Sequence, residues 1–175
     1  MDVRDAVEAD VEAITAIYNH AVADTTAIWN DTLVDAANRT AWLADHHRHG
    51  QPVLVAVSGT GDVLGYATYG SFRAFEGYRH TVEHSVYVRA DQQGRGIGSV
   101  LMGELVERAR QAGVHVMVAA IEAGNVGSIR LHEKLGFTSA GVLHQVGRKY
   151  GRWLDLALLE LVLDTDADAP MGPGR

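Results

Sequence analysis

Three glycines alternate along one short segment of the chain, at Gly94, Gly96 and Gly98. They separate a predicted strand from a predicted helix, and glycine lets backbone N–H groups approach a ligand closely. A helix that begins here adds its own unpaired N–H groups and the positive end of its dipole. Together these features predict an anion site, most naturally one for a pyrophosphate.

Other interpretations of this glycine loop fit less well. A dinucleotide-binding fingerprint requires G-x-G-x-x-G, which the alternating spacing does not match, although Glu122 stands where the acidic residue of that fingerprint is required. A Walker loop requires a Gly-Lys-Ser/Thr ending, and the segment has none. A plain strand-to-helix turn is the remaining alternative, but it does not need three alternating glycines.

One carboxylate, Glu83, stands inside the apolar run of residues 82–88. Desolvation in such a strand raises the pKa of a carboxyl and makes it a better general base. By composition alone, a strand glutamate that faces solvent is the more frequent case. His84 follows directly and must point to the opposite face of the sheet, so we do not expect these two residues to form an acid–base pair.

The spacing of apolar residues predicts an α/β layout around these groups. Helical periodicity predicts helices over residues 9–23, 35–49, 97–112 and 125–135. Short apolar runs predict strands over residues 53–57, 63–69, 82–88, 114–121, 142–146 and 154–162, the first two joined as a hairpin. The segment 82–121 should form a right-handed crossover between parallel strands. Gly136 should cap the last helix in a left-handed conformation.

Composition bounds the class of protein. The 175 residues contain no cysteine, which excludes a disulfide scaffold and a thiolate nucleophile. The length suits a single domain, predicted over residues 1–163, while residues 164–175 are poor in hydrophobics and predict a flexible C-terminal tail. No leader segment and no membrane span are predicted, so we expect a cytoplasmic protein.

Charge is distributed unevenly along the chain. The net charge is −7, which argues against nucleic acid as the main partner. Residues 89–152 nevertheless carry nine basic and five acidic side chains. A basic island in an acidic protein suits a compact anionic ligand, although chance clustering on one helix face would give the same charge count.

Two motifs resemble those of the GNAT N-acetyltransferase superfamily. Gln93-x-x-Gly96-x-Gly98 resembles its acyl-CoA pyrophosphate loop, and the segment 125–137, which ends in RLHEKLGF, resembles its second motif. TVEHSVYV at residues 81–88 and GRWLD at residues 151–155 resemble a narrower branch, the phosphinothricin and methionine sulfoximine acetyltransferases. The similarity runs from the first helix to Val162.

This resemblance implies a fold, a reaction and a co-substrate. The implied fold is a central, mostly antiparallel sheet with a parallel pair at the CoA site, flanked by helices. The implied reaction is direct acetyl transfer from acetyl-CoA to an amine in a protein that forms a homodimer. Its implied cofactor-binding residues are Val86, Tyr87, Val88, Gln93, Gly94, Arg95, Gly96, Ile97, Gly98, Ser99, Asn125, Ser128 and His132.

The resemblance also implies catalytic roles. Glu83 becomes the general base, acting directly or through a water. His132 stands where the common motif has a tyrosine, the usual proton donor to the CoA thiolate, and a histidine can do the same work. A partly buried helix histidine is an equal alternative for His132, and Tyr87 is a weaker alternative donor.

Arginines and aromatic residues alternate in the loop of residues 70–80, which leads directly to Glu83. Arg73 and Arg79 are candidates for binding a carboxylate, because a guanidinium fork matches that group. Further candidate substrate-binding residues are Phe75 and Tyr78, together with Ile28 and Trp29, which lie where this branch places a substrate-facing loop. Residues 149–153 should join a dimer interface or close the pocket.

The implied acceptor is a small amino acid with a compact tetrahedral side group: phosphinothricin, methionine sulfoximine or methionine sulfone. Two alternatives stay open, a GNAT enzyme for another amine (an aminoglycoside, a polyamine or a protein N-terminus) and a non-catalytic acyl-CoA sensor. The histidines at positions 46, 47 and 49 are expected to be exposed, and no metal site is assigned.

Overall fold

The computed structural model describes residues 1–164, which form seven strands and four α-helices. The strands are β1 Asp2–Asp5, β2 Val53–Val57, β3 Val63–Ser71, β4 Thr81–Val88, β5 Val116–Glu122, β6 Thr138–Lys149 and β7 Arg152–Val162. The helices are α1 Val11–Asp24, α2 Ala36–Arg48, α3 Ile97–Gln111 and α4 Val126–Lys134. The strands form one sheet in the order β1-β2-β3-β4-β5-β7-β6.

Helices cover both faces of this sheet, as alternation along β2 shows. Val53 and Val55 pack into the core beneath α1 and α2, whereas Leu54 and Ala56 pack into the core beneath α3. All five residues of β2 are therefore buried, as expected for a strand with helices on both sides. None of the described helices is long and apolar enough to cross a membrane.

The parallel pair in the sheet, β4 and β5, separates early. Their pairing runs from Thr81 opposite Val116 only to Glu83 opposite Val118. Beyond this point β4 remains paired with β3 as far as Val88, and β5 remains paired with β7. One backbone edge of β4 after Glu83 is therefore free of β5, and a cleft opens there.

These observations confirm the predicted fold class: a mostly antiparallel sheet with one parallel pair and flanking helices. Gly136 has φ +93°, as the predicted cap requires. The predicted C-terminal tail lies outside the described residues from position 165 onward.

Two strands differ from the sequence prediction. β1 was missed because its residues are mostly charged; it pairs with β2 and is anchored by an ion pair between Arg4 and the buried Asp10, 2.6 Å long. β6 is twelve residues long, and its register shifts twice against β7. Such irregularities break the alternation that identifies a strand. The Asp155 carboxylate stabilises the second one by accepting the backbone N–H of Gln145 at 2.8 Å.

Candidate active site

A cavity of about 630 Å³ opens where β4 and β5 separate. Its walls come from the end of β4, the glycine loop, the first turns of α3, helix α4, and the end of α1 with the loop after it. Most predicted cofactor-binding residues meet in this wall: Val86, Tyr87, Val88, Gln93, Gly94, Gly96, Ile97, Gly98, Ser99, Asn125 and Ser128. Arg95 and His132 lie outside it.

The three glycines of the loop serve two different purposes. Gly94 and Gly96 have φ +76° and +80°, the left-handed region that favours glycine. Gly98 has an ordinary helical backbone, but a Cβ there would lie 3.1 Å from the Leu131 side chain, so it lets α3 approach α4 closely. Within residues 1–164, no side chain caps the N-terminus of α3, which leaves its first N–H groups available to an anion.

Helix α4 adds positive charge to the opposite wall. Its cap is Asn125, whose side-chain oxygen accepts the Ser128 N–H at 3.1 Å. This bond uses the oxygen, so it does not engage the N–H groups of the Asn125 side-chain NH₂. Arg130 and Lys134, one helical turn apart, also line the cavity. Sequence reasoning missed these two cations individually, although their i, i+4 spacing inside the basic island was a usable signal.

Glu83 is the last residue of β4 that pairs with β5, and it precedes by three residues the part of β4 that lines the cavity, without lining the cavity itself. Its side chain is exposed in this chain, whereas that of His84 is buried, so the two project to opposite faces as expected. Although the residue as a whole is exposed, neighbouring protein groups displace part of the water around its carboxyl; this desolvation raises the pKa of Glu83, and the positive charge of Arg73 offsets part of the effect. A carboxylate with a raised pKa is a competent proton acceptor.

On the other face of β4, two buried histidines contact each other. The Nε2 atoms of His84 and His132 are 3.0 Å apart, and their rings stack. The second nitrogen of His132, Nδ1, bonds to the Ser128 carbonyl oxygen at 2.7 Å. His132 is 1% exposed, and burial lowers the pKa of both histidines, that of His84 to about 3.

The loop between β3 and β4 carries the predicted carboxylate-binding arginines. The Arg73 guanidinium lies 5.1 Å from the centre of the Phe72 ring, and Tyr78 packs edge-on against the same ring. Arg79 donates to the Glu76 carbonyl at 3.3 Å within its own turn. Phe75 is 74% exposed. Arg73 is thus the arginine whose charge acts on Glu83.

Residues at the end of the β6–β7 hairpin contact the loop after α1, which contains the predicted substrate-binding residues Ile28 and Trp29. The buried Lys149 ammonium donates to the carbonyl oxygens of Val22, at 2.5 Å, and of Ile28. The Tyr150 hydroxyl reaches the same segment by bonding to the Ala23 carbonyl at 2.7 Å. The Trp29 ring packs against Gly147, where a Cβ would overlap the ring.

Several known proteins resemble this chain. The profile of the Acetyltransferase (GNAT) family matches residues 14–137. An L-methionine sulfoximine/L-methionine sulfone acetyltransferase of Pseudomonas aeruginosa is 59% identical over 96% of this chain and 98% of its own. A phosphinothricin N-acetyltransferase of Streptomyces coelicolor is 36% identical over 91% of this chain and 95% of its own. A Salmonella typhimurium putative acetyltransferase, solved with its cofactor acetyl-CoA, superimposes with a TM-score of 0.94 at 53% identity, over 97% of both chains.

Proposed function

The chain belongs to the GNAT acetyltransferase family, and we propose that it acetylates the α-amine of a small amino acid such as methionine sulfone, methionine sulfoximine or phosphinothricin, within one domain of residues 1–163. The acetyl donor is acetyl-CoA, as in the family. The acceptor class is supported by relatives named for these compounds, one of them 59% identical.

The cavity offers groups that can bind the pyrophosphate, the pantetheine arm and the remaining phosphate of acetyl-CoA. The uncapped first turn of α3 and the left-handed Gly94 and Gly96 offer N–H groups to the pyrophosphate. The free edge of β4 at Val86 and Val88 offers backbone groups to the pantetheine arm and the thioester oxygen. Arg130 and Lys134 supply charge for the remaining phosphate.

The position of Glu83 carries the proposal. It projects to the face opposite His84 at the residue after which β4 and β5 separate, and the loop with Arg73 leads to it. Glu83 takes a proton from the substrate ammonium, directly or through a water. The free amine then attacks the thioester carbonyl carbon, and the tetrahedral oxyanion collapses with cleavage of the C–S bond. Arg73 and Arg79 bind the acceptor carboxylate, with Phe75, Tyr78, Ile28 and Trp29 around its side chain.

As the C–S bond breaks, the attacking nitrogen, which still carries two hydrogens, loses one as a proton to solvent, and the departing CoA thiolate takes up one proton. The sequence predicts His132 as its donor, with Tyr87 as the alternative. Tyr87 lines the cavity, and burial raises the pKa of its hydroxyl, so this group keeps its proton at neutral pH. His132 lies behind the cavity wall, and its ring nitrogens are engaged elsewhere.

We further propose that the protein forms a homodimer through the β6–β7 face. Strand β6 is an edge strand, and most of its residues are exposed. Trp153 is 63% exposed beside it. An apolar edge of this kind favours pairing with a second copy. Its exposed apolar side chains are Val142, Leu143, Val146, Tyr150 and Trp153.

The proposed function is tested by thiol release from acetyl-CoA across a panel of amines. The panel contains the three named compounds, the standard amino acids, an aminoglycoside, spermidine and a peptide. Turnover confined to amino acids and their analogues supports the proposal. Turnover only with the aminoglycoside, spermidine or peptide would overturn the acceptor assignment. Binding of acetyl-CoA without turnover of any amine would replace it with the sensor alternative.

A further inference from the structure

The hydrogen bonds of the histidine pair fix where each ring carries its proton. The Ser128 carbonyl can only accept, so Nδ1 of His132 carries a proton. Neutral His132 then presents a lone pair at Nε2, and Nε2 of His84 must donate to it. His84 is left with an unprotonated Nδ1 that is buried and has no hydrogen-bond partner among residues 1–164.

This arrangement leaves His132 with no proton to give to the cavity. Its one N–H is bonded to the Ser128 carbonyl, and its other nitrogen faces His84. Adding a second proton would place a charge in a site that is 1% exposed and would set Nε2–H against Nε2–H. Donation of a proton to a thiolate is therefore not the role that this geometry supports.

The pair instead joins the two walls of the cleft. His84 is the first residue of β4 beyond its pairing with β5, and the strand continues into the cavity wall at Val86. His132 lies on α4 and bonds to Ser128, which is in the facing wall. Among residues 1–164, no strand pairing connects these walls beyond Glu83, so their separation depends on side-chain contacts, and the His84–His132 hydrogen bond is one that joins them directly.

We propose that His84 and His132 are positioning residues, whose mutual hydrogen bond sets the distance between β4 and α4 and so shapes the cleft for acyl-CoA. The inference rests on the proposed function, because it assigns acetyl-CoA to that cleft. The orphaned Nδ1 supports it: two apolar side chains would fill the same space without burying an unpaired acceptor.

The test measures the dissociation constant of acetyl-CoA by isothermal titration calorimetry, together with kcat and KM by thiol release. His84→Phe and His132→Phe each remove the hydrogen bond between the two rings and leave the remaining histidine buried without that partner. Each variant should therefore bind acetyl-CoA about tenfold more weakly. At saturating acetyl-CoA, kcat should stay within about threefold. The double variant removes both polar partners and should recover part of the lost affinity. A catalytic acid at position 132 predicts the reverse, a loss of kcat of about 10²–10⁴ with unchanged affinity.

A matched control separates positioning from general destabilisation. Leu43→Ala lowers stability in the core on the opposite side of the sheet, and it should leave acetyl-CoA affinity unchanged. Nitrogen-15 NMR of the imidazoles should place the His132 proton on Nδ1 and the His84 proton on Nε2. Finding the His132 proton on Nε2, or finding tight acetyl-CoA binding in both single variants, would overturn the proposed positioning role of His84 and His132. A wild-type protein that does not bind acetyl-CoA would overturn the proposed function as well.

Discussion

The proposed cofactor side and the proposed acceptor side of this site are built in different ways. On the cofactor side, most contacts join neighbours in sequence: the glycine loop runs directly into α3, and Asn125 caps α4 by accepting the N–H of Ser128, three residues further on. On the acceptor side, partners lie more than a hundred residues apart. Lys149 holds the carbonyl groups of Val22 and Ile28, and Gly147 supports Trp29.

This difference has a functional consequence. Apart from the His84–His132 bond, the cofactor side depends on local backbone conformation, which a single substitution changes directly. The acceptor side depends on how the β6–β7 hairpin meets the loop after α1, so its shape can vary while the cofactor side stays constant. Variants should therefore separate into those that affect acetyl-CoA affinity and those that affect the acceptor.

Glu83→Gln should give the largest effect, because it removes the proposed general base. The amide keeps the shape of the side chain but cannot accept the proton, so kcat should fall by about 10²–10⁴. Acetyl-CoA affinity should not change. Thiol release and calorimetry on the same preparation check both expectations, and a variant with wild-type turnover would refute the assignment of the base.

Gly96→Asp should damage the cofactor side alone. It puts a β-carbon at φ +80° and a negative charge at the anion site, so acetyl-CoA affinity should fall about a hundredfold. Gly61→Asp is the matched control, because Gly61 has φ +89° and open space in the distant β2–β3 turn. If calorimetry finds equal affinity in the two variants, the loop does not bind the anion.

Gly147→Ala should damage the acceptor side alone. The new methyl group overlaps the Trp29 ring and displaces the loop, so the KM for the amino acid should rise about tenfold while acetyl-CoA affinity stays constant. Gly59→Ala, at a turn with open space, is the control. Steady-state kinetics with each substrate varied in turn provide the measurement. A change in the KM for acetyl-CoA instead would show that the two sides are not separable.

The smallest effect concerns stability against acid. His84 stays neutral in the folded protein because burial lowers its pKa from 6.5 to about 3, so unfolding takes up a proton below pH 6.5. This contribution to stability is complete above pH 6.5 and is lost as the pH falls toward 3. His84→Phe should therefore flatten the pH dependence of urea unfolding between pH 6.5 and 4.5. An unchanged slope would mean that His84 is already charged in the folded state.

The same contrast explains which features of the site could be predicted from the sequence. The strand-to-helix glycine loop, the left-handed Gly136 cap and the opposed faces of Glu83 and His84 follow from local rules, and the structure shows each of them. A partly buried helix histidine was one of the two interpretations of His132, but its hydrogen bond to His84 was not predictable, because the two residues lie 48 positions apart. The contact of Trp29 with Gly147 has no local signal either, since only the tertiary packing of β6 against the loop creates it.

The central claim is that acetyl-CoA lies in the cleft beside β4 and that the acceptor amine approaches from the Glu83 face. A crystal structure of Glu83→Gln with acetyl-CoA and methionine sulfone tests this most directly. We expect the pyrophosphate at the N-terminus of α3, the thioester beside the free edge of β4, and the amine within hydrogen-bond reach of residue 83. An amine bound on the His84 face, or acetyl-CoA outside the cleft, would contradict it.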